Sequence, residues 1–192
     1  MAEAGVRPGL TLYTVGHSNR DGAAFVSILL AHGVGTLVDV RRFPRSKRHP
    51  QFSEGPLEAS LRAAGILYRH EPDLGGWREP RADSLNTAWP KDALRGYADH
   101  MSTDAFRSAL DRLLERAAAE TTAVMCAEAD PRQCHRQLLA DALVAAGAEV
   151  VHIRGLVEVE AHALHPAARV QSDGRIHYPA PAAAQGRLFD GA

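Results

Sequence analysis

The chain has 192 residues, 45% hydrophobic and 23% charged, with a formal net charge of −1. That length and composition point to one globular domain with a real core. A near-neutral charge excludes a global pull toward nucleic acid or anionic membrane, so any such affinity must come from a local patch.

Residues 1–9 read as a flexible arm, and 10–181 as one α/β domain. LTLYTV at 10–15 is a β-rich run stopped by Gly16. Residues 21–32 carry Phe25, Ile28 and Leu29 at helical spacing, and Gly33 closes them. A second buried strand spans 36–40. A basic loop follows, then a helix over 57–64 stopped by Gly65, and a short third strand at 66–68. Residues 72–90 are rich in Gly, Pro and Trp without a period, and a loop that long in a compact domain is usually functional or mobile. Helices resume over 92–101 and 104–120, the second with Phe106, Leu110, Leu113 and Leu114 on one stripe. A buried strand at 122–126 precedes Asp130 and Pro131, an N-cap residue and a first-position proline for a helix ending at Gly147. A last strand at 149–153 completes the β–α alternation, which implies a parallel sheet flanked by helices. Residues 170–178, with a polar SDG turn, read as a C-terminal hairpin extension, and 182–192 as a flexible tail.

Parallel strands bring the residues just past each of them to one edge, where ligands bind in such folds. The first strand delivers Gly16, His17 and Ser18, with glycine permitting close approach. The second delivers Asp39, Arg41 and Arg42. The fourth delivers Cys126 and Glu128, two apart on one side of an extended chain. The next helix adds Cys134, His135 and Arg136 in its first turns. A shared polar pocket is therefore expected, with several chemistries open to it. Glu128 and Asp39 as nucleophile or general base is the preferred one, with Arg41, Arg136 and the helix N-terminus holding a phosphate. Cys134, near a helix N-terminus beside His135 and Arg136, is the thiol alternative, a nucleophile or redox group. Cys126, Cys134, His135 and His17 could ligate zinc, but their spacing matches no standard zinc pattern, so no metal is expected, and the sequence requires no cofactor and names none. Binding without catalysis also stays open.

The loop at 41–49 holds five Lys or Arg and no acid. A phosphate backbone laid there would meet Arg42, Arg45, Lys47 and Arg48, giving affinity without sequence specificity. Phe43, Tyr68, Trp77 and Trp89 offer stacking surfaces for bases. In the tail, Gln185, Leu188 and Phe189 resemble the QxxLF peptide by which bacterial proteins dock on the DNA sliding clamp, although Gly186 departs from the more usual Leu. The two cysteines make no secreted disulfide framework. No apolar run approaches the ~20 residues of a membrane span, and MAEAGVRPG lacks the apolar core of a signal peptide. A cytoplasmic location without membrane partners is the expectation.

Several ordered blocks resemble the family called Domain of Unknown Function 488. They are TVGHS at 14–18, DVRRFPRS at 39–46, GI-Y at 65–68, LGG at 74–76, GYADHM at 96–101, CAE at 126–128 and CHR at 134–136. The resemblance implies an α/β fold and a common site built from those blocks, and no established reaction. Because Gly96, Tyr97 and Met101 belong to its pattern, it also implies that Tyr97 enters the pocket. The expected function is an enzyme hydrolysing or transferring groups on a phosphate-bearing substrate, nucleotide or nucleic acid, with a link to DNA maintenance. A non-catalytic nucleic-acid or clamp adaptor and a thiol-dependent redox protein are the alternatives.

Overall fold

The computed structural model describes residues 9–181. Its elements in chain order are β1 (Thr11–Gly16), α1 (Gly22–Ala31), β2 (Thr36–Asp39), α2 (Glu54–Ala63), β3 (Leu67–His70), α3 (Asp92–His100) and α4 (Asp104–Ala119). There follow β4 (Thr122–Cys126), α5 (Arg136–Ala145), β5 (Glu149–Ile153), β6 (Val159–Ala161), β7 (Arg169–Val170) and β8 (Ile176–His177). Side-chain capping sets two of the helix starts. Asp21 accepts from the Ala23 and Ala24 amides ahead of α1, and Thr103 accepts from the Phe106 amide ahead of α4. After α1 the chain leaves through Gly33 at φ 65°, a conformation that suits glycine.

Six strands form one sheet in the order β3-β2-β4-β1-β5-β6. The first five are parallel, and β6 folds back antiparallel on β5. Strand β6 was not foreseen: VEA is short, exposed and has no alternation to betray it. Residues β7 and β8 pair as a separate hairpin. Side chains alternate across the sheet, as a strand requires. Ala123 and Met125 of β4 face α1 and α2, in a core with Phe25, Leu29, Leu57 and Leu61. Val124 and Cys126 face α3, α4 and α5, in a core with Tyr97, Phe106, Leu113 and Leu138. Helix α2 begins earlier than periodicity implies, because Pro56 is tolerated in a first turn.

One local expectation is corrected. Asp130 and Pro131 open a separate 3-10 turn, Pro131–Gln133, and not the helix. Cys134 then returns to extended geometry (φ −134°, ψ 157°), and α5 starts only at Arg136 with His135 as its cap.

Among the described residues no helix is long and apolar enough to cross a membrane.

Candidate functional site: a thiol pair beneath an arginine-lined cavity

Strand β4 lies between β1 and β2, so the carboxyl ends of three neighbouring strands meet. The Gly16 turn lies tight against the β4 end. A Cβ on Gly16 would stand 1.9 Å from the Glu128 carbonyl oxygen. Pairing continues past the strands, as the His17 amide donates to the Cys126 carbonyl at 3.0 Å and the Ser18 amide to Ala127 at 2.9 Å. Above these ends opens a cavity of about 600 Å³. Arg41, Arg42, Arg45 and Arg48 line it, and Glu128 is the one carboxylate among its lining residues. In a chain of net charge −1 this is a local cationic patch that suits an anionic ligand.

Asp39 is not a group that faces a ligand. It is 0% exposed, and its oxygens take bonds from the Arg41 amide (3.0 Å), Arg41 Nε (2.9 Å), Arg41 Nη2 and the Tyr68 hydroxyl (2.8 Å). The expected nucleophile or base is instead the anchor of Arg41. Burial and the neighbouring Asp39 charge push the Tyr68 hydroxyl far above its ordinary value, so it donates to Asp39 as a neutral phenol. Arg41 Nη1 faces His17 Nε2 at 3.4 Å. Burial lowers the His17 pKa to about 4, so the ring is neutral at pH 7. Its Nδ1–H donates to the Ser18 carbonyl at 2.8 Å, which leaves Nε2 as an acceptor.

The two thiols form the floor. Cys126 Sγ and Cys134 Sγ are 2.7 Å apart, and Cys134 Sγ lies 3.6 Å from His135 Nδ1. His135 Nε2–H donates to the Val40 carbonyl at 3.2 Å, so Nδ1 is free to accept from a thiol. Arg136 is 1% exposed, and its Nε donates to Cys126 Sγ at 3.2 Å. Its Nη1 donates to Thr14 Oγ1 at 3.1 Å, and Nη2 to the Glu128 and Ala129 carbonyls. The sulfurs therefore differ. Burial pushes Cys126 well above the ordinary thiol value, whereas the bond from Cys126 and the Arg136 charge bring Cys134 down to about 7. Cys134 is only 5% exposed, yet it lines the cavity. The ligand atoms of Cys126, Cys134 and His135 lie within 4.8 Å of one another and could hold a soft metal ion. The buried Arg136 charge beside the sulfurs opposes a cation there and suits a thiolate.

The remaining candidates divide between rim, wall and core. Glu128 is exposed at the mouth. Ser18, at φ 52°, and His135 line the cavity, while Gly16 and Arg136 stand behind it. Lys47 is exposed outside the lining set. Phe43 (65% exposed) and Trp77 (80%) stand on the rim, with the Arg42 guanidinium 5.6 Å from the Phe43 ring centre and bonded to the Trp77 carbonyl. Tyr68 and Trp89 are core residues and offer no stacking face to the cavity. Tyr97 does not enter the cavity either. It is wholly buried, donates to the Leu74 carbonyl at 3.0 Å and lies behind the His135 ring. The tail residues Gln185, Leu188 and Phe189 lie outside the described residues.

The GYADHM block has a different role, which sequence reasoning missed. A Cβ on Gly96 would stand 2.2 Å from the Arg78 carbonyl oxygen, so the loop at 72–90 lies directly on α3. Asp99 accepts from the Arg81 amide (2.8 Å), Ser84 Oγ (2.7 Å) and Asn86 Nδ2 (2.8 Å). His100 Nε2 donates to the Asp73 carbonyl at 2.7 Å. The block pins the loop, which sets Gly76 so close to His135 that a Cβ would be 2.8 Å from Nδ1. The available signal was Asp99, a charged residue on a helical stripe that should be apolar.

No curated protein and no solved structure matches the chain. The family model described as Domain of unknown function DUF488 matches residues 22–143, starting after the Gly16 turn and ending within α5. That segment holds the arginine loop, the pinned loop and both thiols and is more than half of the chain, which therefore belongs to this family of unknown function.

Proposed function

We propose that the protein is a thiol-dependent enzyme that hydrolyses or transfers groups on a phosphate-bearing substrate, a nucleotide or nucleic acid. One observation carries the reading. The sulfur with the lowered pKa, Cys134, opens onto a cavity lined by four arginines and a single carboxylate. Arg42, Arg45 and Arg48 would receive the phosphates, and Phe43 and Trp77 a base. The Cys134 thiolate would attack the electrophilic centre with its lone pair. A sulfur bond forms, and the leaving group departs with the electrons of the broken bond and takes a proton from solvent. Water oriented by Glu128 would then displace the sulfur, releasing product and a proton and restoring the thiolate. Thiol chemistry is favoured over the carboxylate route because Asp39 is taken up by Arg41 and Tyr68, which leaves Glu128, exposed at the mouth, as the one carboxylate of the cavity.

A dithiol redox role is the second reading, favoured by the close approach of the two sulfurs. Docking on a sliding clamp, and with it a link to DNA maintenance or an adaptor role, rests on the sequence of Gln185, Leu188 and Phe189.

The test is alkylation by iodoacetamide across pH, with each cysteine read by mass spectrometry. Cys134 should react with a midpoint near 7 and be protected by inorganic phosphate or a short oligonucleotide, while Cys126 stays unreactive. A Cys134 midpoint at the ordinary thiol value would refute the thiolate. Absence of protection by any polyanion would remove the substrate class and leave the redox reading ahead.

A further inference from the structure

Behind the thiols a second polar system runs through the core, on the α5 side of the sheet. Arg136 Nη1 donates to Thr14 Oγ1 at 3.1 Å, and that hydroxyl lies 2.7 Å from His152 Nδ1. His152 Nε2 is 3.0 Å from His162 Nδ1, and His162 Nε2 is 2.8 Å from Asp141 Oδ1. Asp141 closes the series, accepting also from the Tyr178 hydroxyl (2.8 Å) and the His165 amide (3.1 Å).

With both imidazole rings neutral, one arrangement of protons satisfies every link. A carboxylate only accepts, so His162 carries its proton on Nε2 and accepts at Nδ1. His152 must then donate from Nε2 and accept at Nδ1. The Thr14 hydroxyl supplies that proton, and its oxygen lone pair is left for Arg136. Burial lowers the His152 pKa to about 3, so this ring stays neutral, as the arrangement needs. The series thus runs with one polarity from a buried guanidinium to a buried carboxylate. Thr14 is the only side-chain oxygen to which Arg136 donates among the described residues. Without it, the Nη1 donor would lose its partner in the core, and the guanidinium could turn away from the sulfurs.

We propose that Thr14, His152, His162 and Asp141 form a positioning relay that holds the Arg136 guanidinium against the thiol pair and so sets the reactivity of Cys134. None of the four touches the cavity above the thiols. They act through Arg136 and are positioning residues. The inference rests on the reading of Cys134 as the reacting thiol. The titratable groups around that thiol are Cys126 of β4, His135 and Arg136 at the start of α5, and Tyr97 of α3.

The experiment compares Cys134 alkylation against pH in the wild type, Thr14→Val, Thr14→Ser and His162→Ala. Thr14→Val should raise the midpoint by about one pH unit, a tenfold loss of thiolate below the midpoint. Thr14→Ser, which restores the hydroxyl, should return it to the wild-type value. His162→Ala should shift it upward by less, because Thr14 still meets His152. At high pH, where every thiol is ionised, the four rates should agree to within about threefold, the higher-pKa thiolates being the slightly faster, whereas a general loosening of the site would raise the rate at every pH. If the wild-type midpoint is low and both Thr14→Val and His162→Ala leave it unmoved while folded, the relay is refuted and the thiol reading stands. Should the wild type itself show an ordinary thiol midpoint, the thiol reading falls and takes the relay with it.

Discussion

Gly96→Ala separates two physical arguments by the sign of the result. Gly96 lies in the middle of α3, where alanine is favoured over glycine by about 1 kcal/mol. Helix propensity alone therefore expects a more stable protein. The packing says otherwise. The new Cβ would meet the Arg78 carbonyl oxygen at 2.2 Å, the Glu79 carbonyl carbon at 2.5 Å and the Arg78 carbonyl carbon at 2.6 Å. All three are backbone atoms, so no side chain can swing aside. Reaching ordinary contact at 3.4 Å requires the loop to move by more than about 1 Å. Overpacking of that kind costs up to about 3 kcal/mol. Moving the loop also weakens the bonds that Asp99 accepts from Arg81, Ser84 and Asn86. Set against the propensity gain, the net loss should be about 2 kcal/mol, a fall in Tm of roughly 4–8 °C for a chain of this length. Circular-dichroism melting and urea titration of the purified variant would read it. A Gly96→Ala protein melting at or above the wild type would show that the loop does not lie on α3 as described, and the placement of Gly76 against His135 would fall with it.

Two further outcomes are expected. Asp39→Asn keeps the shape of the anchor but leaves the Arg41 guanidinium buried without its countercharge, at a cost of about 3 kcal/mol in urea titration; a change within about 0.5 kcal/mol would show that the pair is idle. Reversing Arg45, Lys47 and Arg48 to Glu should weaken binding of a labelled single-stranded oligonucleotide and flatten its salt dependence. If the wild type binds no oligonucleotide even at low salt, the substrate is a small phosphate-bearing molecule.

The β–α alternation was legible because its signals are local. The strands Thr122–Cys126 and Glu149–Ile153 are short apolar runs between helical stripes, and their bounds agree with expectation. The convergence of His17, Arg41, Cys126 and Cys134 follows from parallel strands ending at one edge. Other features depend on partners far along the chain. Asp39 looks like a free carboxylate until Tyr68, on a neighbouring strand, closes over it. Asp130 does cap a turn, as its type suggests, but Cys134 leaves helical geometry two residues before α5. Strand order was hidden as well, because nothing in the local pattern says that β4 enters between β1 and β2. The hydrogen-bonded series behind the thiols was equally invisible: His152 reads as an interruption in a buried strand until His162, just past the end of β6, folds back beside it.

The insertion of β4 has a consequence for how the molecule comes into being. Strands β1 and β2 do not pair with each other; each pairs with β4, and β1 also with β5. Until residues 122–126 are in place, the two arms of the sheet face a gap of two inter-strand spacings, about 9–10 Å, with open backbone donors and acceptors on both sides. The segment that seals this gap is also the one that brings Cys126, and it draws Cys134 and Arg136 in behind it. The central wedge of the sheet and the floor of the site are thus the same piece of chain, so the two sulfurs come to lie beneath the arginines only when β4 has entered the sheet.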